Sequence, residues 1–250
     1  MSDVQWSFEN RVVAVTGSAT GIGATAVGEF ARAGANVYGL DVDVERGESV
    51  VKRTGSRFLQ CDVTSSMAVA EAFSVIADDH GRLDTLVNNA GGFWDQNTTE
   101  STSEDEWNRV IDLNLKGPFL CAREAIPLLR NSSAGRIISM SSLAGQTAIH
   151  TTSPPYAAAK SGVLALTRVL AYELAAEGIT VNAIAPSAVI TERVETIRGP
   201  GVREKTAESI PIGRCGDPED IVAWVMFLAS EGASYMTGQT VTVNGGRFIS

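Results

Sequence analysis

The chain has 250 residues, 44% hydrophobic and 20% charged, which describes an ordinary soluble globular protein long enough for one well-buried α/β domain, 1–250. Its formal net charge of −9 argues against nucleic acid or an anionic membrane surface as partner. Cys61, Cys121 and Cys215 are odd in number and far apart, so they imply no disulfide framework, and His80 and His150 sit at no ligand spacing, so no metal site is expected.

The start, MSDVQWSFENR, lacks a basic n-region and an apolar stretch, and no run approaches the roughly 18 apolar residues of a membrane span, so the expected location is cytoplasmic. From there, short apolar or β-branched runs alternate with helix-like segments. RVVAVT (11–16) reads as a strand, followed by a helix near 21–33 and then the strands NVYGL (36–40) and RFLQC (57–61). A helix near 64–80 leads to LDTLVN (83–88), a long helical stretch near 103–130 to RIISMS (136–141), and another near 154–177 to ITVNAIA (179–185). A last helix near 217–230 precedes QTVTVN (239–244), the seventh strand. Near-continuous apolar strands alternating with helices indicate a parallel sheet covered on both faces. The polar segment 191–214, broken by Gly199, Pro200 and Gly201, reads as a flap beside a site.

Two stretches carry chemistry. In VAVTGSATGIG the glycines Gly17, Gly21 and Gly23 fall between the first strand and first helix, spaced G-x-x-x-G-x-G. Glycines let backbone approach a pyrophosphate, and the helix N-terminus faces the anion; a merely tight strand–helix connection is the plainer alternative. Asp41 ends the second strand, where a carboxylate can accept hydrogen bonds from the adenosine ribose hydroxyls and repels a 2′-phosphate. In SPPYAAAKSG the prolines fit a first helical turn and the alanines continue it, so Tyr156 and Lys160, at i and i+4, share one face. A cation beside a phenol favours the phenolate, although such a pair can also be a simple solvated face.

TGSATGIG, NNAG (88–91) and Tyr156-x-x-x-Lys160, in this order, resemble the short-chain dehydrogenase/reductase family over about residues 10–246. The resemblance implies an α/β, doubly wound Rossmann fold with one extra strand, in keeping with the strands read above, and a nicotinamide dinucleotide cofactor. It makes Tyr156 the general acid/base, a group whose ordinary pKa near 10 must be lowered by a cation to work at neutral pH. It makes Lys160 the partner of Tyr156 and the holder of the nicotinamide ribose. Ser142, the last serine of RIISMSS, would hold the reacting oxygen, with Ser141 facing the other side of an extended strand. The Ser142–Tyr156 separation is one residue longer than expected, and TTSPP can absorb the insertion. Asn114 in DLNLKGPF would bind a water linking the lysine to solvent, or cap a local kink at Gly117 and Pro118.

By the same resemblance, Gly17, Thr20, Gly21, Ile22 and Gly23 line the cofactor, Asp62 and Val63 hold the adenine, and Asn89 meets the adenosine ribose. Pro186, Val189 and Thr191 sit beside the nicotinamide carboxamide. Ser187 replaces a glycine usual in the family, and VTVNGG stands where DGG is more usual. The family's long helices pack across subunits, so a homotetramer is expected; SGVLALTRVLAYELA is apolar over much of its circumference, which agrees.

Substrate-facing positions are Phe93 and Trp94 after NNAG, and Ile149 and His150 before the Tyr156 helix. They favour an apolar or ring-bearing alcohol or ketone, although Phe93 and Trp94 can equally pack their own loop, and His150 reads more readily as a surface loop residue than as a second base. Three functions are therefore open. The leading one is an NAD-dependent secondary-alcohol dehydrogenase or ketone reductase. A 3-oxoacyl-(acyl-carrier-protein) reductase is the alternative, usually marked by NADPH use and a basic residue near Thr20 or after Asp41, which this chain lacks. A dinucleotide-sensing protein without catalysis would typically lose the Tyr or the Lys, and both are kept.

Overall fold

The computed structural model describes residues 5–149, 152–191 and 201–249. Its strands are β1 (Val12–Thr16), β2 (Asn36–Asp41), β3 (Arg57–Gln60), β4 (Thr85–Asn88), β5 (Arg136–Met140), β6 (Thr180–Pro186) and β7 (Thr240–Val243). They form one parallel sheet in the order β3-β2-β1-β4-β5-β6-β7. Parallel neighbours cannot be joined by hairpins, so each connection crosses a face of the sheet. The crossing helices are α1 (Gly21–Arg32), α2 (Val44–Thr54), α3 (Ser66–His80), α4 (Glu104–Ile111), α5 (Gly117–Leu129), α6 (Pro154–Leu174) and α8 (Pro218–Ala229), with the short α7 (Val202–Ala207) before β7.

Side chains alternate across a strand, and here both faces are apolar because both are covered. Val12 and Ala14 of β1 join a core with Phe73 and Ile76 of α3, Leu120 and Leu129 of α5, and Leu170 and Leu174 of α6. Val13 and Val15 point the other way, into a core with Val27 and Phe30 of α1 and Ile221 and Val225 of α8. This is the doubly wound Rossmann architecture that the sequence implies. Among the described residues no helix is long and apolar enough to cross a membrane.

Two elements differ from the sequence reading. Helix α2 has no counterpart there because VERGESVVKRT is polar and carries Gly47 mid-helix, and only Gly47 and Val50 are buried. The glycine makes room for a neighbour: a Cβ at position 47 would lie 2.1 Å from the Phe58 ring, which would have to move. The single helix expected over 103–130 is instead α4, a π-helical turn at Asp112–Lys116, and α5. Such wide turns insert a residue into the helical register and recur at functional sites.

The strand order reverses between β1 and β4, so a crevice opens above their carboxyl ends. In open α/β sheets that is where ligands sit.

Candidate active site

The crevice is a cleft of about 1290 Å³. On its floor the chain leaves β1 through Gly17 at φ +66° and enters α1 at Gly21, φ +53°, left-handed conformations that glycine adopts without strain. A Cβ on Gly23 would stand 2.0 Å from the Gly17 carbonyl oxygen, so the turn closes only with glycine there. Asn89, expected at the adenosine ribose, braces this turn: its Nδ2 donates to the carbonyls of Thr16 and Gly17, both at 3.0 Å. Thr20 precedes α1 without a side-chain capping bond, and the first turn holds no acidic residue. Among the described residues, nothing compensates the first N–H groups of α1 and its positive dipole end, which face the cleft. Across from them, Thr191 approaches Gly21 so closely that a Cβ there would touch its methyl at 3.0 Å. A pyrophosphate fits this cradle, since it needs close backbone, free N–H donors and no side chain in the way.

One end of the cleft suits an adenosine. The Asp41 carboxylate is fixed by the turn it closes, Oδ2 accepting from the Ala19 N–H at 2.9 Å and Oδ1 from the Asp43 N–H at 3.0 Å. Each oxygen keeps a lone pair for a further donor. Arg46 lines the same end, 3.9 Å from the Asp43 carboxylate. Asp62 also lines it, held in a turn by Thr64, while the Val63 side chain is buried against Gly117. Burial pushes the nearby Cys61 thiol up to about 11, so it offers no thiolate nucleophile at neutral pH.

The other end gathers the titratable groups. Pro154 and Pro155 occupy the first turn of α6, which places Tyr156 and Lys160 one turn apart toward the cleft. Lys160 is 3% exposed; its Nζ donates to the Met140 carbonyl at 2.7 Å and lies 5.6 Å from the centre of the Tyr156 ring. Desolvation lowers its pKa to about 8. The two serines after β5 divide sharply. Ser141 Oγ donates to the Lys160 carbonyl at 2.8 Å and is buried, whereas Ser142 Oγ accepts from the Ala144 N–H at 3.2 Å, which leaves its own O–H to donate into the cleft.

Asn114 is fully buried behind Lys160, within the π-helical turn. Its Nδ2 donates to Val110 O and Gly92 O, and its Oδ1 accepts from the Gly92 N–H at 2.8 Å. The sequence reading allowed Asn114 to cap a kink at Gly117 and Pro118; the irregular turn lies just before them, at Asp112–Lys116, and Asn114 ties it to the loop after β4. A Cβ on Gly91 would meet Asn114 Oδ1 at 2.7 Å and Lys160 Nζ at 3.1 Å, so these groups converge on one point.

Phe93 packs on Tyr156 with ring centres 4.8 Å apart, and both line the cleft. Trp94 lines it too, stacked under the Arg109 guanidinium at 4.3 Å. His150 lies outside the described residues, as does 192–200 of the expected flap, of which Thr191 and 201–214 are described. Ile22, Ile149, Pro186 and Val189 are on the wall. The sequence reading missed Arg247, which also lines the cleft although it sits near the chain's end; an arginine directly after a glycine pair was the one available signal. Among the described residues, no group of three or more His, Cys, Asp or Glu is placed to hold a metal ion.

A protein-family model described as enoyl-(acyl carrier protein) reductase matches residues 17–247. The acetoacetyl-CoA reductase of Rhizobium meliloti (strain 1021) is 38% identical over 245 residues, covering 96% of this chain and 100% of that protein. The 3-oxoacyl-(acyl-carrier-protein) reductase FabG of Staphylococcus aureus (strain N315) is 38% identical over 241 residues, covering 94% and 97%. Among solved structures, gox2181 superposes with a TM-score of 0.92 at 31% identity, covering 96% of each chain. A Brucella melitensis 16M protein described as ribose-5-phosphate isomerase gives 0.93 at 30% identity, covering 99% of this chain and 96% of that one.

Proposed function

The chain belongs to the short-chain dehydrogenase/reductase family, and on that premise we propose that it reduces the 3-oxo group of an acyl thioester to a 3-hydroxy group. Membership makes it an oxidoreductase that uses a nicotinamide dinucleotide. The observation that carries the thioester reading is the likeness, over nearly the whole chain, to relatives named for acetoacetyl-CoA and 3-oxoacyl-carrier reduction. The sequence reading put a small apolar or ring-bearing alcohol or ketone first; the relatives favour its alternative. Phe93 on Tyr156, with Trp94 on the same wall, supports the ring-bearing ketone as a second reading.

Held by the α1 turn and Asp41, a reduced nicotinamide dinucleotide would supply the hydride that the carbonyl carbon takes up. Ser142 donates a hydrogen bond to the carbonyl oxygen, and Tyr156 gives its phenolic proton to that oxygen as charge develops there. Lys160, protonated below about 8, stabilises the phenolate left behind until solvent returns the proton. Asn114 holds the loop at Gly92 and so fixes the surroundings of the Lys160 ammonium. The balance is one 3-oxoacyl thioester, one reduced cofactor and one proton in, and one 3-hydroxyacyl thioester and one oxidised cofactor out.

NADH is the proposed donor, read by Asp41. Two ribose hydroxyls donating to a fixed carboxylate give charge-assisted bonds, which a 2′-phosphate would replace with repulsion. Such bonds predict a kcat/KM preference for NADH of about 10–100-fold. The test follows cofactor absorbance with acetoacetyl-CoA, crotonyl-CoA and a panel of ring-bearing ketones, using NADH and NADPH. Acetoacetyl-CoA should be the fastest. Faster turnover of crotonyl-CoA would replace carbonyl by C=C reduction, and faster ring-bearing ketones would restore the second reading. Equal use of both cofactors would remove the role of Asp41.

A further inference from the structure

Arg247 takes no part in the proposed reaction, yet its position is built rather than incidental. After β7 the chain turns through Gly245 at φ +62° and Gly246 at φ +85°. Asn244 locks that turn: its Oδ1 accepts from the Gly246 N–H at 2.8 Å, its carbonyl from the Arg247 N–H at 3.1 Å, and its Nδ2 donates to Phe248 O at 2.7 Å. Cβ atoms on the two glycines would strike Ile210 at 2.7 Å and Pro211 at 3.2 Å, so the turn is pressed flat against that segment. The Arg247 side chain returns to the cleft, where Nη1 approaches Ser187 Oγ at 3.4 Å. Ser187 in turn is anchored by its N–H to the Val243 carbonyl at 3.0 Å. Among the described residues, the serine that departs from the family's usual glycine therefore supplies the one side-chain oxygen that aims this guanidinium.

Among the described residues no carboxylate pairs with Arg247, whereas Arg109, which also lines the cleft, pairs with Asp95. A half-buried guanidinium has five donors, and one is engaged here. In a chain of net charge −9, a cation held in the cleft without a counter-ion is an anion receptor in search of its anion. The cradle at α1 already offers N–H donors to the cofactor's phosphates, which leaves the substrate to bring this anion.

We infer that Arg247, oriented by Ser187, binds the phosphate of a phosphopantetheine arm that carries the 3-oxoacyl group. This rests on the thioester reading of the reaction. It makes Arg247 a specificity residue and Ser187 a positioning residue, and it covers coenzyme A and carrier protein alike, since both present that phosphate.

The test compares acetoacetyl-CoA, acetoacetyl-phosphopantetheine and the N-acetylcysteamine thioester, which share the reacting group while the last lacks phosphate. Wild-type kcat/KM should exceed that on the N-acetylcysteamine thioester about tenfold or more for both phosphate-bearing substrates, through KM. In Arg247→Gln that ratio should collapse toward one, and in Ser187→Gly it should fall part of the way. If only acetoacetyl-CoA is favoured in the wild type, the adenosine end and not the arm phosphate is recognised, and the inference fails. An unchanged ratio in Arg247→Gln overturns it, as does a loss expressed in the KM for NADH, which would assign the arginine to the cofactor. Wild-type protein inert toward all three thioesters would instead overturn the reading of the reaction, and this inference with it.

Discussion

Tyr156, Ser142 and Lys160 each do a different job, and each can be tested separately. Tyr156→Phe keeps the ring that Phe93 packs against and removes only the transferable proton. It should fold normally and lose activity about 10²–10⁴-fold; a loss below tenfold would end the acid/base role. Ser142→Ala should likewise cost turnover with little change in melting temperature. Ser141→Ala should do the reverse, because its hydroxyl is committed to the Lys160 carbonyl and deleting one such bond costs about 1 kcal/mol of stability. Lys160 makes a pH prediction. Burial lowers it to about 8 from 10.5, so between these values the unfolded chain holds a proton that the folded protein lacks, and stability rises with pH across that window. Below about 8 the buried ammonium subtracts roughly 3 kcal/mol. Unliganded Lys160→Met should therefore be more stable than wild type at pH 7, with the gap closing toward pH 10.5 in denaturant titrations. A pH-independent gap would show that burial does not govern this lysine.

At the scale of elements, two of the three glycines in helix α1 have opposite requirements. A Cβ on Gly23 would sit 2.0 Å from the Gly17 carbonyl oxygen and 2.6 Å from Asn89 Nδ2, so Gly23→Ala must push apart the turn that faces the cofactor. Gly28 lies in the same helix, and a Cβ there would meet Thr54 Cγ2 at 3.8 Å, an ordinary contact. Gly28→Ala should stabilise the protein by about 0.5–1 kcal/mol through the unfolded chain's lost freedom. Gly23→Ala should weaken NADH binding at least tenfold, measured by cofactor fluorescence, and lower the melting temperature. Equal behaviour of the two variants would mean that the turn adjusts freely. The same paired logic explains why α2 escaped the sequence reading. Gly47 looks like a helix breaker, but the Phe58 ring fills the space where a side chain would stand, and only the fold brings position 58 there.

For the whole molecule, α6 buries one stripe, including Val163, Leu170 and Leu174, against the sheet and its neighbours. Its outer face leaves Val169 54% and Tyr172 90% exposed, and Phe119 of α5 is 46% exposed. A helix apolar on more than one side asks for cover on more than one side. These side chains are therefore predicted to pack against further copies of the chain, in keeping with the tetramer that the family resemblance implies. Light scattering should give a mass above that of one chain, and Val169→Asp with Tyr172→Glu should shift it downward. A stable wild-type monomer at micromolar concentration would refute the assignment.

Features that depend on local pattern are legible in the residue order alone. The seven strands follow from β-branched apolar runs, the α1 turn from three glycines, and the Tyr156–Lys160 pair from helical spacing of four. The order of the strands, with its reversal between β1 and β4, followed only through resemblance, since periodicity carries no information about which strands are neighbours. What the tertiary structure alone decided are side-chain contacts between distant positions. Asn89 turned out to brace the glycine turn 72 residues earlier, Asn114 to tie the π-helical turn to Gly92, and Ser187 to aim Arg247. Each of these bonds joins atoms brought together by chain closure in three dimensions, and a one-dimensional pattern of propensities holds no trace of such closure.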